Sequence, residues 1–344
     1  MRHSNEILHI KELHNQGYLG TDIGIAVLDT GICKHPDFVS YKNRIVMFKD
    51  FINFKNYIYD DNSHGSHVSG IIAGNGFVSN GLYCGLAPEA HIISLKVLDK
   101  NGHGNIEDVL NALKWILDNH YLYNIRIVNI SVGSTSDTPV QEDSVLVHAV
   151  NRLWDEGLIV VAAAGNGGPM PQSIGTPGIS RKIITVGSFD NETGSENILS
   201  PPSQNYSGRG PTISCIKKPD IIAPGNHIIS CNSVVPTSSF SYTKLTSTTP
   251  LQQLYQRNHH QNYIYHYENG KKIRENLYFG FYTVKSGTSM ATPMVSGAIA
   301  LLLSKFPNLS NKDIKIRLKN TSTDLGLSHS VQGWGLLNVK KLCL

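Results

Sequence analysis

The chain has 344 residues, of which 40% are hydrophobic and 16% are charged. This is enough apolar material for one large α/β domain or two smaller ones. The formal charge of +4 is small, and the lysines and arginines are scattered, so we expect no nucleic-acid partner. The longest apolar candidate, residues 297–306, is too short for a transmembrane helix, so we expect no membrane partner.

The N-terminal residues and the cysteines bear on localisation. The sequence MRHSNEILHIKELHNQGY has no apolar stretch of the kind that a secretory signal peptide needs. The five cysteines are few, odd in number and without metal-ligand spacing, which is typical of free thiols in a reducing compartment. We therefore expect a cytoplasmic protein; a secreted mature fragment is the alternative.

Strand-like and helix-like patterns alternate along most of the chain. A short amphipathic helix is predicted over 4–17. Apolar runs typical of buried parallel strands follow, and they lie at 23–31, 91–99, 125–133, 158–166 and 182–190. Helical patterns between them lie at 105–120 and 142–157. This alternation predicts a mainly parallel sheet covered by helices on both faces, whose ligands would bind at the carboxyl ends of the strands.

A helix that is apolar on all sides is predicted over GTSMATPMVSGAIALLLSKF, residues 287–306. Proline is tolerated in the first turn of a helix, so we expect Pro293 there. Ser289 would then lie at or just before the helix start, where unpaired backbone N–H groups and the positive end of the helix dipole meet.

Two histidines lie three positions apart in DDNSHGSHVSG, residues 60–70. By itself this stretch could be a metal clamp, a catalytic base beside a structural neighbour, or two solvated side chains. A metalloprotease helix carries its histidines at i and i+4 with a glutamate between them, and neither feature occurs here. The spacing of His64 and His67 therefore disfavours a metal site.

Three motifs in the order Asp, His, Ser give the chain a family resemblance. VLDTG around Asp29, HGSHVSG around His64 and SGTSMATPMVSG around Ser289 resemble the active-site blocks of the subtilisin-like serine proteases, or subtilases. The resemblance extends from about residue 5 to residue 340. It implies a three-layer α/β/α fold and one peptidase domain over 1–344, with neither a signal peptide nor a pro-segment encoded.

The resemblance also implies a mechanism. Ser289 would attack the peptide carbonyl, His64 would take and return the proton, and Asp29 would orient the histidine and stabilise its cation. The side-chain amide of Asn166 and the backbone N–H of Ser289 would bind the oxyanion. The expected activity is that of a serine endopeptidase with an acyl-enzyme intermediate, acting on proteins or on one precursor peptide.

The expected partner is an extended polypeptide, held by main-chain pairing at two edges of a cleft. By family position, the residues of these edges are Gly102, His103 and Gly104 on one side and Ser131, Val132 and Gly133 on the other. The first specificity pocket would be lined by Ala163, Ala164 and Gly165. The sequence predicts neither the cleavage preference nor the oligomeric state.

The chemistry requires no cofactor, but structural calcium is common among subtilases. Asp37 and the loop at 74–81 match a region that often binds one ion, although this loop has no acidic residue. An insertion at about 230–285 carries aromatic alternation on both sides of Asn269-Gly270, a β-hairpin signal. The hairpin would be a flap beside the cleft or a peripheral addition.

Two other functional classes are alternatives to a serine protease. An α/β-hydrolase would show G-x-S-x-G and the order Ser, Asp, His, and Ser289 has neither. The other alternative is a catalytically silent binding or signalling protein on the protease scaffold. Reaction of Ser289 with a fluorophosphonate separates it from an enzyme.

Overall fold

The structure is a computed structural model that describes residues 10–132, 143–189, 206–233 and 280–344, together with strands 263–268 and 271–276. Its central strands are β1 (Gly24–Asp29), β2 (Ile45–Asp50), β3 (His91–Lys96), β4 (Ile125–Ile130), β5 (Ile159–Ala163), β6 (Ile184–Phe189) and β7 (Ile221–Pro224). They form one sheet in the order β2-β3-β1-β4-β5-β6-β7. Every neighbouring pair is parallel, as the apolar runs predict.

Helices complete the three layers. They are α1 (Ile10–Asn15), α2 (Pro36–Val39), α3 (His64–Ala73), α4 (Ile106–Asn119), α5 (Val145–Asp155), α6 (Thr288–Lys305), α7 (Asn311–Thr321), α8 (His329–Gln332) and α9 (Val339–Cys343). Helix α3 packs against α6, and α6 also crosses β4 to β7, while α4 packs against α5. This α/β/α architecture confirms the predicted fold class. No helix in the described ranges is long and apolar enough to span a membrane.

Local sequence explains where the helices start and which face they bury. The Asn105 side chain accepts a hydrogen bond from the Asp108 backbone N–H and thereby caps α4. The buried residues of α4 follow the spacing of one helical face, and they are Val109, Ala112, Leu113 and Ile116. Helix α6 instead is buried continuously over 290–303, as its all-apolar sequence predicts.

One detail of α6 differs from the sequence prediction. Pro293 is the sixth residue of the helix and so lies in its second turn, not its first. Since proline has no N–H, it cannot donate to the Ser289 carbonyl four residues earlier. The extensive burial of α6 against the sheet and α3 compensates for this missing bond.

The strands of the structure end a few residues before the apolar runs that predicted them. Strand β1 stops at Asp29, β4 at Ile130 and β5 at Ala163, and the small polar residues that follow leave the sheet. Because all three strands are parallel, their carboxyl ends meet at one edge. The chain thus brings Asp29, Ser131 and Asn166 to the same side of the molecule.

Two further strand pairs lie outside the central sheet. Strands β8 (Ile228–Cys231) and β11 (Tyr282–Lys285) pair antiparallel and lead into α6. Strands β9 (Tyr263–Glu268) and β10 (Lys271–Asn276) also pair antiparallel, with Glu268 opposite Lys271. The remainder of 234–279 lies outside the described residues, so the flap stays a prediction.

Candidate active site

His64 and Asp29 are joined by a hydrogen bond at the carboxyl edge of the sheet. His64 is the first residue of α3, Asp29 is the last residue of β1, and the Nδ1–Oδ1 distance is 2.7 Å. Asp29 is buried, whereas the histidine side chain is 24% exposed. A carboxylate at this distance favours a proton on Nδ1 and leaves Nε2 free to accept one.

The close approach of α3 to β1 requires two glycines. A Cβ atom on Gly65 would lie 2.1 Å from the Gly31 carbonyl oxygen, so no other residue fits there without displacing the strand end. Gly31 itself has φ +115°, which L side chains rarely adopt. These glycines allow the start of α3 to lie directly against the end of β1. His64 is thereby placed within hydrogen-bond distance of Asp29.

Charges around His64 set its basicity. Burial lowers the pKa of His64, the Asp29 carboxylate raises it, Lys285 lowers it and Asp60 raises it. The resulting pKa lies above the ordinary value of 6.5. A base with this pKa loses activity as the pH falls through it, because the protonated ring can no longer accept a proton.

His67 lies in a different environment from His64. It is fully buried, and Nε2 lies 2.9 Å from the Ile228 carbonyl oxygen and 3.2 Å from that of Thr283. Burial, with the nearby charges of Lys285 and His64, lowers the pKa of His67 well below its usual value. The neutral ring therefore donates to both β8 and β11 and ties them to α3, which is a structural role.

Asn166 is oriented by the start of α6. Its side-chain oxygen accepts hydrogen bonds from the Thr288 backbone N–H at 3.0 Å and the Thr288 hydroxyl at 2.9 Å. The amide NH₂ is thereby turned away from Thr288, and Asn166 is exposed. Ser289 is the second residue of α6, where backbone N–H groups lack intrahelical acceptors. The contact of Thr288 with this amide was not predicted from the sequence.

The predicted substrate edges divide into exposed and buried residues. His103 and Gly104 are exposed, and Gly102 is partly exposed with φ +79°. Ser131 is buried, and its hydroxyl accepts a hydrogen bond from Asn129, whose oxygen accepts one from Ser296 of α6. Val132 is partly buried, and Gly133 lies outside the described residues. The subsite assignments stay predictions.

The pocket residues Ala163 and Ala164 are buried, and Gly165 is partly exposed. The Ala164 N–H donates to the Val186 carbonyl at 2.9 Å, and the Ala164 carbonyl accepts from Gly175 at 2.9 Å. The backbone of Ala164 is therefore already paired within the fold. Its expected contribution is to the wall of the pocket.

The surroundings of Asp37 do not fit a calcium ion. Asp37 is fully buried, and its carboxylate accepts hydrogen bonds from the Val78 N–H at 3.0 Å and the Tyr282 hydroxyl at 2.6 Å. The carbonyls of Gly76 and Ser79 accept hydrogen bonds within their own loop. Calcium needs six to eight oxygen ligands, and here the loop presents an N–H to the carboxylate.

His35 and Cys231 also approach Asp37, and the three offer ligand atoms within 4.8 Å of one another. His35 Nδ1 already accepts the Asp37 N–H, and its Nε2 lies 2.9 Å from the Phe281 carbonyl. Burial raises the pKa of the Cys231 thiol well above its usual value, so it stays protonated. We interpret the group as a hydrogen-bonded cluster. In the described residues His64 and His67 belong to no such group.

Known proteins are similar to this chain over almost its whole length. The model of the subtilase family matches residues 20–335. Serine protease AprX of Bacillus subtilis (strain 168) is 37% identical over 328 residues, which cover 92% of this chain and 65% of AprX. Subtilisin BL of Lederbergia lenta is 31% identical, with 95% of this chain and 93% of that protein covered.

Solved structures show the same fold. The S41 psychrophilic protease and sphericase each superpose with a TM-score of 0.68 at 28% identity, covering 96% of this chain and 97% of theirs. The described part of this chain thus shares both sequence and architecture with proteases across almost its whole length. The chain belongs to the subtilase family of subtilisin-like serine proteases.

Proposed function

We propose that this protein is a serine endopeptidase in which Asp29, His64 and Ser289 form the catalytic triad. The observation that carries the proposal is the 2.7 Å hydrogen bond between His64 and Asp29, because it leaves Nε2 available as the base. The position of Ser289 at the start of α6 and the oriented amide of Asn166 support it.

The mechanism follows from these four groups. His64 Nε2 takes the proton as Ser289 Oγ attacks the peptide carbonyl, and the negative oxygen accepts hydrogen bonds from Asn166 and the Ser289 N–H. His64 then protonates the leaving amine, and the acyl-enzyme remains. A water molecule, deprotonated by His64, cleaves the ester and restores Ser289. Asp29 stabilises the histidine cation in both steps.

The substrate would be an extended polypeptide. Main-chain pairing along Gly102–Gly104 on one side and 131–133 on the other supplies affinity without regard to side chains, and the pocket at 163–165 adds selectivity. The exposure of His103 and Gly104 supports the first edge. Activity requires no cofactor in this mechanism, because every proton transfer uses a residue of the chain.

A fluorophosphonate probe and the Ser289→Ala variant test the proposal. We expect the wild type to be labelled and to cleave peptides. Ser289→Ala should be unlabelled, with kcat lower by about 10⁶-fold, the magnitude known for the equivalent change in subtilisin. Ser304→Ala, on the same helix with its hydroxyl bonded to the Leu301 carbonyl, is the matched control.

Either of two results would overturn this assignment. The first is normal turnover by purified Ser289→Ala. The second is a folded wild-type protein that the probe does not label, which would favour the catalytically silent binding protein instead.

A further inference from the structure

Asp60, four residues before His64, carries an unusual number of hydrogen bonds for one carboxylate. It is only 9% exposed. Oδ1 accepts from the Thr30 hydroxyl at 2.8 Å, the Ser63 N–H at 2.9 Å and the Asn62 N–H at 3.1 Å. Oδ2 accepts from the N–H and the hydroxyl of Ser66, at 2.8 and 2.6 Å. An ionised carboxylate suits five donors because it only accepts hydrogen bonds.

One group of these bonds reaches the strand that carries Asp29. Thr30 directly follows Asp29, and its hydroxyl donates to Asp60 while accepting the Gly65 N–H at 2.9 Å. The Thr30 N–H donates to Asp29 Oδ1 at 2.7 Å, the same oxygen that lies against His64. A displacement of Thr30 would therefore move the acceptor of the His64 hydrogen bond.

The other group reaches the helix that carries His64. Ser63 precedes the helix with φ +83°, a left-handed conformation that is costly for a residue with a side chain. The Ser63 side chain makes no capping bond to the helix, so Asp60 supplies the acceptor for the first turn through Ser66. Asp60 thus holds both the strained residue before His64 and the turn after it.

We propose that Asp60 is a positioning residue of the active site, which fixes the start of α3 to the end of β1 and so sets the His64–Asp29 hydrogen bond. The inference rests on the proposed function, since it assigns Asp60 a task in a triad that includes His64.

The neighbouring aspartate provides the contrast. Asp61 is 38% exposed, and its side chain contacts the buried ammonium of Lys96 at 2.8 Å. No hydrogen bond in the described residues joins the Asp61 side chain to Thr30, Ser63 or Ser66. The two residues are adjacent and chemically identical, so they form a matched pair for substitution.

The charge of Asp60 gives a second, independent readout. Burial lowers the pKa of His64. The carboxylates of Asp29 and Asp60 raise this pKa, and the charge of Lys285 lowers it. Replacing Asp60 by asparagine removes one of the groups that raise it. The pH at which activity falls on the acid side should then move to lower pH, which loss of rigidity alone would not produce.

The experiment compares Asp60→Asn with Asp61→Asn in the full chain. We expect kcat of Asp60→Asn to fall about 10- to 100-fold with KM changed less than about twofold, because a misplaced base affects the chemical step. Its acid limb should shift to lower pH. Asp61→Asn should keep the wild-type kcat and pH profile. Melting temperatures measured in the Ser289→Ala background report any loss of folding separately.

A second variant covers the case in which Asp60→Asn does not fold. Thr30→Val keeps the shape of the side chain and removes the hydroxyl between Asp60 and Gly65, so we expect a loss of kcat in the same direction. Wild-type kcat and an unshifted acid limb in folded Asp60→Asn, or wild-type kcat in Thr30→Val, would overturn the inference while leaving the triad intact. An unlabelled wild-type protein would overturn the proposed function and this inference together.

Discussion

Asn166 shows how one side chain acquires a role from its neighbours. Asparagine in AAAGN beside two glycines is by itself an ordinary turn residue. Thr288 accounts for the difference, since its N–H and hydroxyl bind the amide oxygen and leave the NH₂ group for another acceptor. The orientation of a flexible amide thus depends on a residue 122 positions away in sequence.

Replacing Asn166 by alanine should impair turnover and leave binding nearly intact. We expect kcat to fall about 100- to 1000-fold, the magnitude known for the loss of one oxyanion donor in subtilisin, with KM little changed. Steady-state kinetics on a peptide substrate measure both constants. Asn101→Ala, in an exposed turn, is the control. An Asn166→Ala enzyme with more than a third of the wild-type kcat would contradict the oxyanion role.

The two histidines of HGSH likewise differ because of their neighbours in the fold. His64 has a carboxylate at 2.7 Å and a partly exposed ring, so its pKa lies above the usual value. His67 is fully buried beside two backbone carbonyls, and burial, with the nearby charges of Lys285 and His64, lowers its pKa well below the usual value. Residue type and local spacing do not distinguish the two histidines. Their surroundings do, and they favour His64 as the proposed base and His67 as a structural residue.

At the scale of elements, strand ends and helix starts form the site. Asp29 ends β1, His64 begins α3, Ser289 occupies the first turn of α6, and Asn166 follows β5. Parallel strands place their carboxyl ends at one edge, and helix starts offer unpaired N–H groups. This arrangement is what the proposed triad and oxyanion site require of four groups that lie far apart along the chain.

The β8–β11 pair also takes part in a buried contact with Asp37. Tyr282 of β11 donates its hydroxyl to Asp37 at 2.6 Å, and Asp37 holds the loop at 74–81 through Val78. Hydrogen bonds thus hold this loop to Asp37. Arg44 adds a positive charge by donating to the carbonyls of Asp37 and Ala73.

Tyr282→Phe should destabilise the protein, whereas a chelator should not. We expect a loss of about 1–3 kcal/mol in the free energy of unfolding, because a buried carboxylate loses a donor. Thermal melting in the Ser289→Ala background, with and without EDTA or calcium, measures both effects. Tyr121→Phe, with an 87% exposed side chain, is the control. A melting temperature that EDTA lowers by several degrees would contradict the conclusion that the surroundings of Asp37 do not fit a calcium ion.

At the scale of the whole molecule, helix α9 packs against helices from distant parts of the chain. Helix α9 contacts α1, α6 and α7. The Tyr18 hydroxyl donates to the Cys343 carbonyl, and Arg317 Nε donates to the Leu342 carbonyl at 2.7 Å. Leu342 and Cys343 are fully buried. Helices α1 and α9, which lie near the two ends of the described chain, therefore pack into the same hydrophobic core.

Leu342→Ala should lower stability without changing the chemistry. A buried leucine truncated to alanine costs about 2–5 kcal/mol, depending on how far the cavity collapses. Chemical denaturation in the Ser289→Ala background measures the loss, and Leu344→Ala, 68% exposed, is the control. Equal stability of the two variants would show that α9 contributes little to the core. A large fall in kcat of folded Leu342→Ala would show that α9 also supports the site.

By itself, the sequence determined the fold class, the family and the candidate triad. Apolar runs alternating with helical periodicity suffice for a parallel α/β sheet, and three motifs in one order suffice for the family, because both signals are local. Strands β2 and β7 and the pair β8 and β11 escaped prediction, since their burial depends on neighbours that are distant in sequence.

Only the tertiary structure decided what each polar side chain does. Asp60 and Asp61 are identical in sequence terms, yet one is buried with five donors and the other lies partly exposed beside Lys96. Asp37 resembles a calcium ligand in sequence, but Tyr282 and Val78 occupy its carboxylate. The physical reason is that burial, charge and hydrogen-bond partners come from elements far along the chain, so a role that depends on them is absent from any local pattern.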